Sequence, residues 1–105
     1  MVTVTDNVVV NAMPVVSEKL NEEKIPSVAC DEGSVENGAL MSEGVNYREC
    51  GKQAGDMAIK ILKDGTAISD IPYEDGKVLK TLVNKKIAEI LGLDLSDLKD
   101  AEYVD

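Results

Sequence analysis

The segment Ala29-Cys30-Asp31-Glu32-Gly33-Ser34-Val35-Glu36-Asn37-Gly38-Ala39-Leu40 separates two apolar runs. The first run, residues 25–30, stops at two acidic residues and a glycine, and the second, residues 39–41, begins directly after Gly38. Short apolar runs bounded by turn-forming residues are typical of buried strands. We therefore predict strands at residues 25–30 and 39–42, joined by a polar loop at one edge of a sheet. This loop is where we expect the centre of any binding site.

The N-terminal side of this segment predicts a strand followed by a helix. Residues 1–5 are rich in β-branched residues, and two good helix N-cap residues, Asp6 and Asn7, follow them. Residues 8–24 carry apolar side chains at three- and four-residue spacing, which predicts an amphipathic helix. Pro14 interrupts this pattern and predicts either a kink or a later start of the helix. The predicted buried face consists of Val8, Ala12, Val15, Val16 and Leu20.

The C-terminal side predicts two more helices and a strand. Asn46 caps a helix over residues 47–63, in which Gly51 and Gly55 form a smooth strip suited to close packing on a sheet. A turn-rich loop leads to a strand over residues 77–83. Asn84 then caps a short third helix that ends at Gly92, and the acidic tail that follows is weakly patterned.

The alternation of strands and helices predicts the fold class. We expect an α/β domain with three layers, a mostly parallel sheet with helices on both faces. In such sheets, ligands bind beyond the carboxyl ends of the strands. The polar residues that follow the predicted strands therefore form a candidate rim: Asp6, Asn7, Asp31, Glu32, Asn46 and Tyr47.

Composition narrows the classes of function. The 105 residues fit one domain and include no histidine, so the commonest general base and metal ligand is missing. The formal net charge of −9 argues against binding to nucleic acid or to anionic membranes. The two cysteines, Cys30 and Cys50, lack a metal-binding spacing and predict partly buried thiols. No stretch approaches the roughly 20 apolar residues that a membrane span needs.

The acidic residues of the segment leave three chemical interpretations open. Asp31 and Glu32 as a catalytic pair would make the protein a carboxylate enzyme, but no base or nucleophile partners them. Together with Asp6, they would form a hard-metal pocket like that of a receiver-type signalling domain. Alternatively, they belong to a binding site without chemistry. A phosphate-binding loop is excluded, because the glycine pattern is absent and two glutamates would repel phosphate.

Five segments of the chain resemble one family, in that family's order. The chain is similar to the C-terminal part of the ABC-transporter substrate-binding proteins associated with aromatic amino acid uptake, in the type I periplasmic-binding-protein superfamily. The likeness covers nearly the whole chain. The segments that carry it are residues 5–7, 29–40, 44–47, 51–58 and 82–84.

The resemblance implies a part of a larger protein that captures a solute. Family members have two α/β lobes, so the chain of 1–105 is expected to be a C-terminal fragment that holds part of one flavodoxin-like lobe and the crossings between lobes. By the resemblance, the ligand is an amino acid of the aromatic type that binds between the lobes, which close by a hinge motion. Residues 44–46 and 75–77 would lie near the hinge. The ligand-facing positions that match are Asp6, Asn7, Asp31, Glu32 and Tyr47.

The resemblance also implies the partners. An acidic side chain would take the ammonium group of the ligand, a tyrosine would face its side chain, and no cofactor, metal or catalytic residue is expected. The parent protein would act outside the cytoplasm and deliver solute to an ABC permease. We expect the chain alone to bind amino acids weakly and to self-associate through exposed sheet edges. A free-standing flavodoxin-like or receiver-like domain remains the alternative.

Overall fold

The computed structural model describes all residues, Met1–Asp105, and divides into two compact units. The first unit comprises residues 1–44 and 80–105, and the second comprises residues 45–79. None of the helices has the length and apolar character needed to cross a membrane. In chain order the elements are β1 (Val2–Thr3), α1 (Asn7–Glu22), β2 (Val28–Ala29), α2 (Glu32–Glu36), β3 (Met41–Val45), α3 (Tyr47–Leu62), a 3-10 turn (Ile68–Asp70), β4 (Leu79–Asn84), α4 (Lys85–Leu91) and β5 (Glu102–Val104).

The five strands form one sheet in the order β1-β2-β3-β4-β5. Three of the neighbouring pairs, β1–β2, β2–β3 and β4–β5, are parallel. The backbone N–H of Asn84, at the end of β4, donates to the carbonyl of Leu40, just before β3, at 2.8 Å. Strand β4 therefore runs antiparallel to β3. The predicted α/β class with a mostly parallel sheet is confirmed, with one reversal in the middle.

Two apolar clusters fix the helices of the first unit on the sheet. One cluster contains Met13 of α1, Val35 of α2, Ala29, Ala39 and Leu82. The other contains Ile87 and Ala88 of α4 with Leu40, and Met41 packs against it. Met41 and Ser42 point to opposite faces because side chains alternate along a strand, and Ser42 pairs with Ala29. Helices α1 and α2 thus cover one face of the sheet, and α4 packs against Leu40 and Met41 and also contacts α1.

The second unit consists of α3 and the segment after it. Asn46 caps α3 as predicted, and its Oδ1 accepts the backbone N–H groups of Arg48 and Glu49. Gln53 Nε2 donates to Glu74 Oε2 at 2.7 Å, which ties the returning segment to the helix. A Cβ atom at Gly76 would lie 2.9 Å from Cys50 Sγ. This close approach explains why glycine stands at position 76.

The predicted bounds of α1, α3 and α4 hold closely, but the predicted buried face of α1 is only partly right, since Val16 packs against the core and Leu20 is half-buried. Val8 and Val15 are mostly exposed, whereas Met13 and Ser17 are buried. Three consecutive valines near the start of α1 make two faces equally apolar, and Ser17 looks unsuited to a core. Its hydroxyl nevertheless donates to the carbonyl of Gly38 at 2.6 Å, so its burial leaves no hydrogen bond unmade. Helix α1 begins at Asn7 and continues through Pro14, so the later start is also wrong.

The polar loop predicted between the strands at residues 25–30 and 39–42 contains a short helix, α2. Asp31 accepts hydrogen bonds from both the backbone N–H and the hydroxyl of Ser34, and these bonds start α2. The flanking strands differ as well: β2 is limited to Val28–Ala29, and β3 begins at Met41. The segment contains glycine and has a low helix propensity, so its sequence does not predict a helix. The hydrogen bonds between Asp31 and Ser34 stabilise the helical turn instead.

Three further predictions fail. The weakly patterned tail contains β5, which pairs with β4. Tyr103 of this strand donates a hydrogen bond from its Oη to the carbonyl of Leu98 at 3.0 Å. A Cβ atom at Gly51 or Gly55 would meet nothing within 4 Å, because no residue of α3 is buried. Cys30 is exposed rather than partly buried, since β2 ends one residue before it.

Candidate functional site

The predicted rim residues of the first unit lie at one edge of its sheet. Strands β1, β2 and β3 are parallel, so their carboxyl ends share an edge, and α1 and α2 begin there. Asp6 and Asn7 start α1, and Asp31 and Glu32 start α2. The structure thus brings four of the five predicted residues to the same edge. The fifth, Tyr47, belongs to the second unit, where it is the first residue of α3 and 61% exposed.

The two aspartates are engaged as helix caps. Asp6 Oδ1 accepts the backbone N–H groups of Val8 and Val9 at 2.8 and 3.2 Å. Asp31 is buried, and both of its oxygens accept bonds from Ser34, at 2.8 Å from the N–H and 2.9 Å from the hydroxyl. A carboxylate that caps a helix satisfies backbone donors that would otherwise lack partners. Asp31 therefore stabilises the start of α2. The sequence predicted Asp31 as a ligand-facing acid and did not predict this structural role.

Glu32 takes part in an ion cluster that the sequence interpretation missed. Lys80, at the start of β4, places Nζ 3.5 Å from Glu32 Oε2 and 3.0 Å from Glu102 Oε2. Because β4 is antiparallel to β3, its first residues reach the edge where β3 ends. The hydrogen bond to Glu102 is the main cause that raises the pKa of Lys80 above its ordinary value, and Glu32 adds to the effect. The only sequence indication of this cluster is a lysine in the middle of the predicted strand over residues 77–83.

The geometry does not bring the acids together as a metal site. No three His, Cys, Asp or Glu side chains converge as the ligands of a metal ion. The oxygens of Asp6 and Asp31 that face their own helices are occupied by N–H and O–H donors. The hard-metal interpretation needed these carboxylates to converge with Glu32, whose cation partner is instead Lys80.

The second unit contains two hollows beside α3, of about 100 Å³ and about 270 Å³. Pockets for small organic ligands are larger, about 300–1,000 Å³. Both hollows fall below this range, so neither has the volume of a typical ligand site. The smaller is lined by Cys50, Gln53, Ala54, Met57, Glu74 and Gly76, and the larger by Glu49, Lys52, Gln53, Asp56, Lys77 and Val78.

Replacing Asp31 with alanine is expected to lower the free energy of unfolding by about 2 kcal/mol, because the change removes a buried cap and leaves the Ser34 hydroxyl unpaired. Asp6→Ala is the matched control. It removes an exposed cap of the same type and should cost about 1 kcal/mol or less. Urea denaturation followed by circular dichroism measures both. Equal costs for the two variants would contradict the structural role of the Asp31 bonds.

Comparison with known proteins places the chain in a family. Residues 1–102 match the family model described as ABC transporter substrate binding protein. A tyrosine-binding protein of Clostridioides difficile (strain R20291) is 36% identical over 100 residues, which are 95% of this chain and 29% of that protein. The chain thus spans about a third or less of the length of such relatives.

Two solved structures share the fold. The ligand-free, open structure of a substrate-binding protein with adhesive properties from Clostridium difficile has a TM-score of 0.87 and 38% identity, over 99% of this chain and 35% of that one. An ABC domain from Streptococcus pneumoniae in complex with L-Trp has a TM-score of 0.71 and 30% identity, over 95% of this chain and 35% of that one. The chain belongs to the family of ABC-transporter substrate-binding proteins.

Proposed function

We propose that this chain is part of a protein that captures an amino acid between two lobes and presents it to an ABC permease. Family membership supports the capture of a solute. One relative is named a tyrosine-binding protein, and another was crystallised with L-Trp, so both support an aromatic amino acid as the solute. The observation that carries the proposal is the edge where β1, β2 and β3 end, since ligands of α/β proteins bind beyond such ends. The mechanism is binding and release, with no covalent chemistry.

We propose further that the chain corresponds to the C-terminal portion of the two-lobe protein. The match to about 35% of each solved relative supports this assignment. The division of the chain into two units supports it as well. The boundaries fall at residues 44/45 and 79/80, close to the segments 44–46 and 75–77 that the resemblance assigns to the hinge. Hinge crossings are positions where a few residues absorb the closing motion of two lobes.

The site residues divide into two roles under this proposal. Glu32 is the acid that we expect to bind the ammonium group of the ligand. Its carboxylate contacts Lys80 and does not cap a helix as the carboxylates of Asp6 and Asp31 do. Asp6 and Asp31 hold the starts of α1 and α2 in place at the ligand edge, and Asn7, the first residue of α1, lies at the same edge. Tyr47, exposed at the start of α3, would contact the side chain of the ligand.

The proposal also sets the location and the partners. The protein acts outside the cytoplasm, where substrate-binding proteins of importers meet their solutes, and its protein partner is a permease. A second copy of the chain is the other expected partner. Several apolar side chains lie on its surface, among them Leu62, Ile68 and Tyr73, which are 85%, 73% and 89% exposed.

Calorimetry with tyrosine, tryptophan and phenylalanine tests the function. We expect this chain alone to bind weakly, with a Kd near 1 mM, and a two-lobe protein containing it to bind near 1 μM, because both walls of the site are then present. Glu32→Gln should weaken binding by the two-lobe protein about tenfold, as expected when one charge-assisted hydrogen bond is lost.

The matched control is Glu18→Gln, on the exposed part of α1, which should bind as the unchanged protein does. A two-lobe protein that binds none of these amino acids would overturn the proposed solute class. Tight binding by the 105-residue chain alone would instead overturn the view that half of the site lies elsewhere.

A further inference from the structure

We propose that Lys80 competes with the ammonium group of the ligand for Glu32, and that Glu102 limits this competition by holding Lys80. The inference rests on the proposed function, in which Glu32 takes the ammonium group of an amino acid. It adds two residues to the site, one from β4 and one from β5. It also makes the last strand of the chain a determinant of ligand affinity.

The geometry shows one ammonium group shared unequally between two carboxylates. Lys80 Nζ lies 3.0 Å from Glu102 Oε2 and 3.5 Å from Glu32 Oε2. Strong charge-assisted N–H···O bonds are about 2.7–2.9 Å long. The contact with Glu102 is close to that range, and the contact with Glu32 is well outside it. Glu102 is therefore the main partner of Lys80, and Glu32 keeps most of its capacity to accept a second cation.

The fold holds this arrangement in place. Lys80 and Leu82 are two residues apart on β4, so both side chains point to the face covered by α1 and α2. Glu102 pairs with Leu82 in the parallel β4–β5 ladder, which brings its side chain to the same face. The Lys80 side chain is only 22% exposed, so its choice of partners is restricted to groups at this edge.

The charge balance gives the cluster a preference for ligands with an ammonium group. Two carboxylates and one lysine leave one net negative charge. A ligand ammonium at Glu32 competes directly with Lys80, because both need the same carboxylate. The bond to Glu102 weakens that competition by holding Lys80 away. Removing Glu102 should therefore harm ligand binding although Glu102 itself does not touch the ligand, whereas removing Lys80 should free Glu32 and help it.

The first test measures the pairing without ligand. The Lys80 ammonium is titrated by NMR in the 105-residue chain and in Glu102→Gln and Glu32→Gln. The pKa of Lys80 should fall in both variants, and further in Glu102→Gln, because the hydrogen bond to Glu102 is the largest cause of its elevation. An equal fall, or a larger one in Glu32→Gln, would overturn the unequal sharing.

The second test measures tyrosine affinity by calorimetry in a two-lobe protein containing this chain. Glu102→Gln should weaken binding about tenfold, because Lys80 then pairs with Glu32 and the ligand has to displace it. Lys80→Met should tighten it a fewfold, and Lys80→Arg should stay close to the unchanged protein. If Glu102 and Lys80 had purely structural roles, the two variants would not change the tyrosine affinity in opposite directions. Glu89→Gln, exposed on α4, serves as the matched control.

The outcomes separate this inference from the proposed function. Binding by the unchanged protein, with Glu102→Gln and Lys80→Met both neutral or both weaker, would overturn the role of Lys80 and leave the proposed function standing. An unchanged protein that binds no amino acid would overturn both. The same series with tyramine, which keeps the ammonium group but lacks the carboxylate, should reproduce the opposite signs. Their absence with tyramine would contradict competition for an ammonium group.

Discussion

Gly38→Ala is expected to lower the free energy of unfolding by about 3 kcal/mol or more, because backbone strain and a steric clash add together at this position. Gly38 has φ of +113°, a backbone conformation that L side chains rarely adopt. A Cβ atom there would lie 2.7 Å from Ser17 Oγ and 2.9 Å from Ser17 Cβ. The new methyl group would therefore push α1 away from the turn after α2. It would also break the 2.6 Å hydrogen bond from Ser17 to the Gly38 carbonyl.

Gly65→Ala is the matched control for this prediction. Gly65 also has a positive φ, +69°, but a Cβ atom there would meet nothing within 4 Å. The control should cost about 1 kcal/mol, the penalty of the left-handed conformation alone. Urea denaturation of both variants measures the difference. Equal destabilisation would mean that backbone strain, and not the contact with Ser17, determines the glycine at position 38.

Met13→Ala is expected to cost about 3 kcal/mol, because it opens a cavity in the main apolar cluster. The Met13 side chain is fully buried between α1, α2 and the sheet, in contact with a cluster that includes Val35 and Leu82. The cost follows from lost transfer energy and from packing contacts that the neighbours cannot recover. The measurement is the midpoint of urea denaturation, with the slope of the transition checked for change.

Val15→Ala on the same helix separates the two candidate faces of α1. Val15 is 73% exposed, so its truncation should change the free energy of unfolding by no more than about 0.5 kcal/mol. A chain folded with the face predicted from the sequence would show the reverse order of effects. A small loss for Met13→Ala together with a large loss for Val15→Ala would therefore contradict the observed packing of α1.

The helix bounds could be predicted closely from the sequence because helix caps are local. Asp6, Asn46 and Asn84 each accept backbone N–H groups two or three residues ahead, and all three were predicted as caps or cap candidates. Gly92, in the left-handed conformation, ends α4 as predicted. Such bonds depend only on neighbouring residues, so their pattern is visible in the order of the amino acids.

The strands could be predicted only in part. Strands β1 and β2 contain two residues each, too few for an alternating pattern to set their limits. Strand β5 lies in the acidic tail and forms because β4 offers it a free edge. Its residues gain their hydrogen bonds from a strand some twenty positions earlier. No local pattern of the tail could indicate that partner.

The candidate site could also be predicted only in part from the sequence. The rim at the carboxyl ends of β1 and β2 followed from the alternation of strands and helices, and Asp6, Asn7, Asp31 and Glu32 lie there. The sequence did not predict that these residues have different environments. Asp31 is fastened by Ser34 as a buried cap, whereas Glu32 faces Lys80. Adjacent residues with the same charge thus have different environments, which are set by the direction in which α2 begins.

Local patterns and the family resemblance were enough to predict the α/β class, the caps of three helices, the family and the sheet edge of the proposed ligand site. Folding alone sets which face of α1 is buried, the antiparallel direction of β4 relative to β3, and the contacts of Lys80 with Glu32 and Glu102. These two groups of features differ in the range of their interactions. Caps and periodic patterns arise within a few residues. The bond between Lys80 and Glu32, in contrast, joins residues 48 positions apart and exists only after the strands have paired.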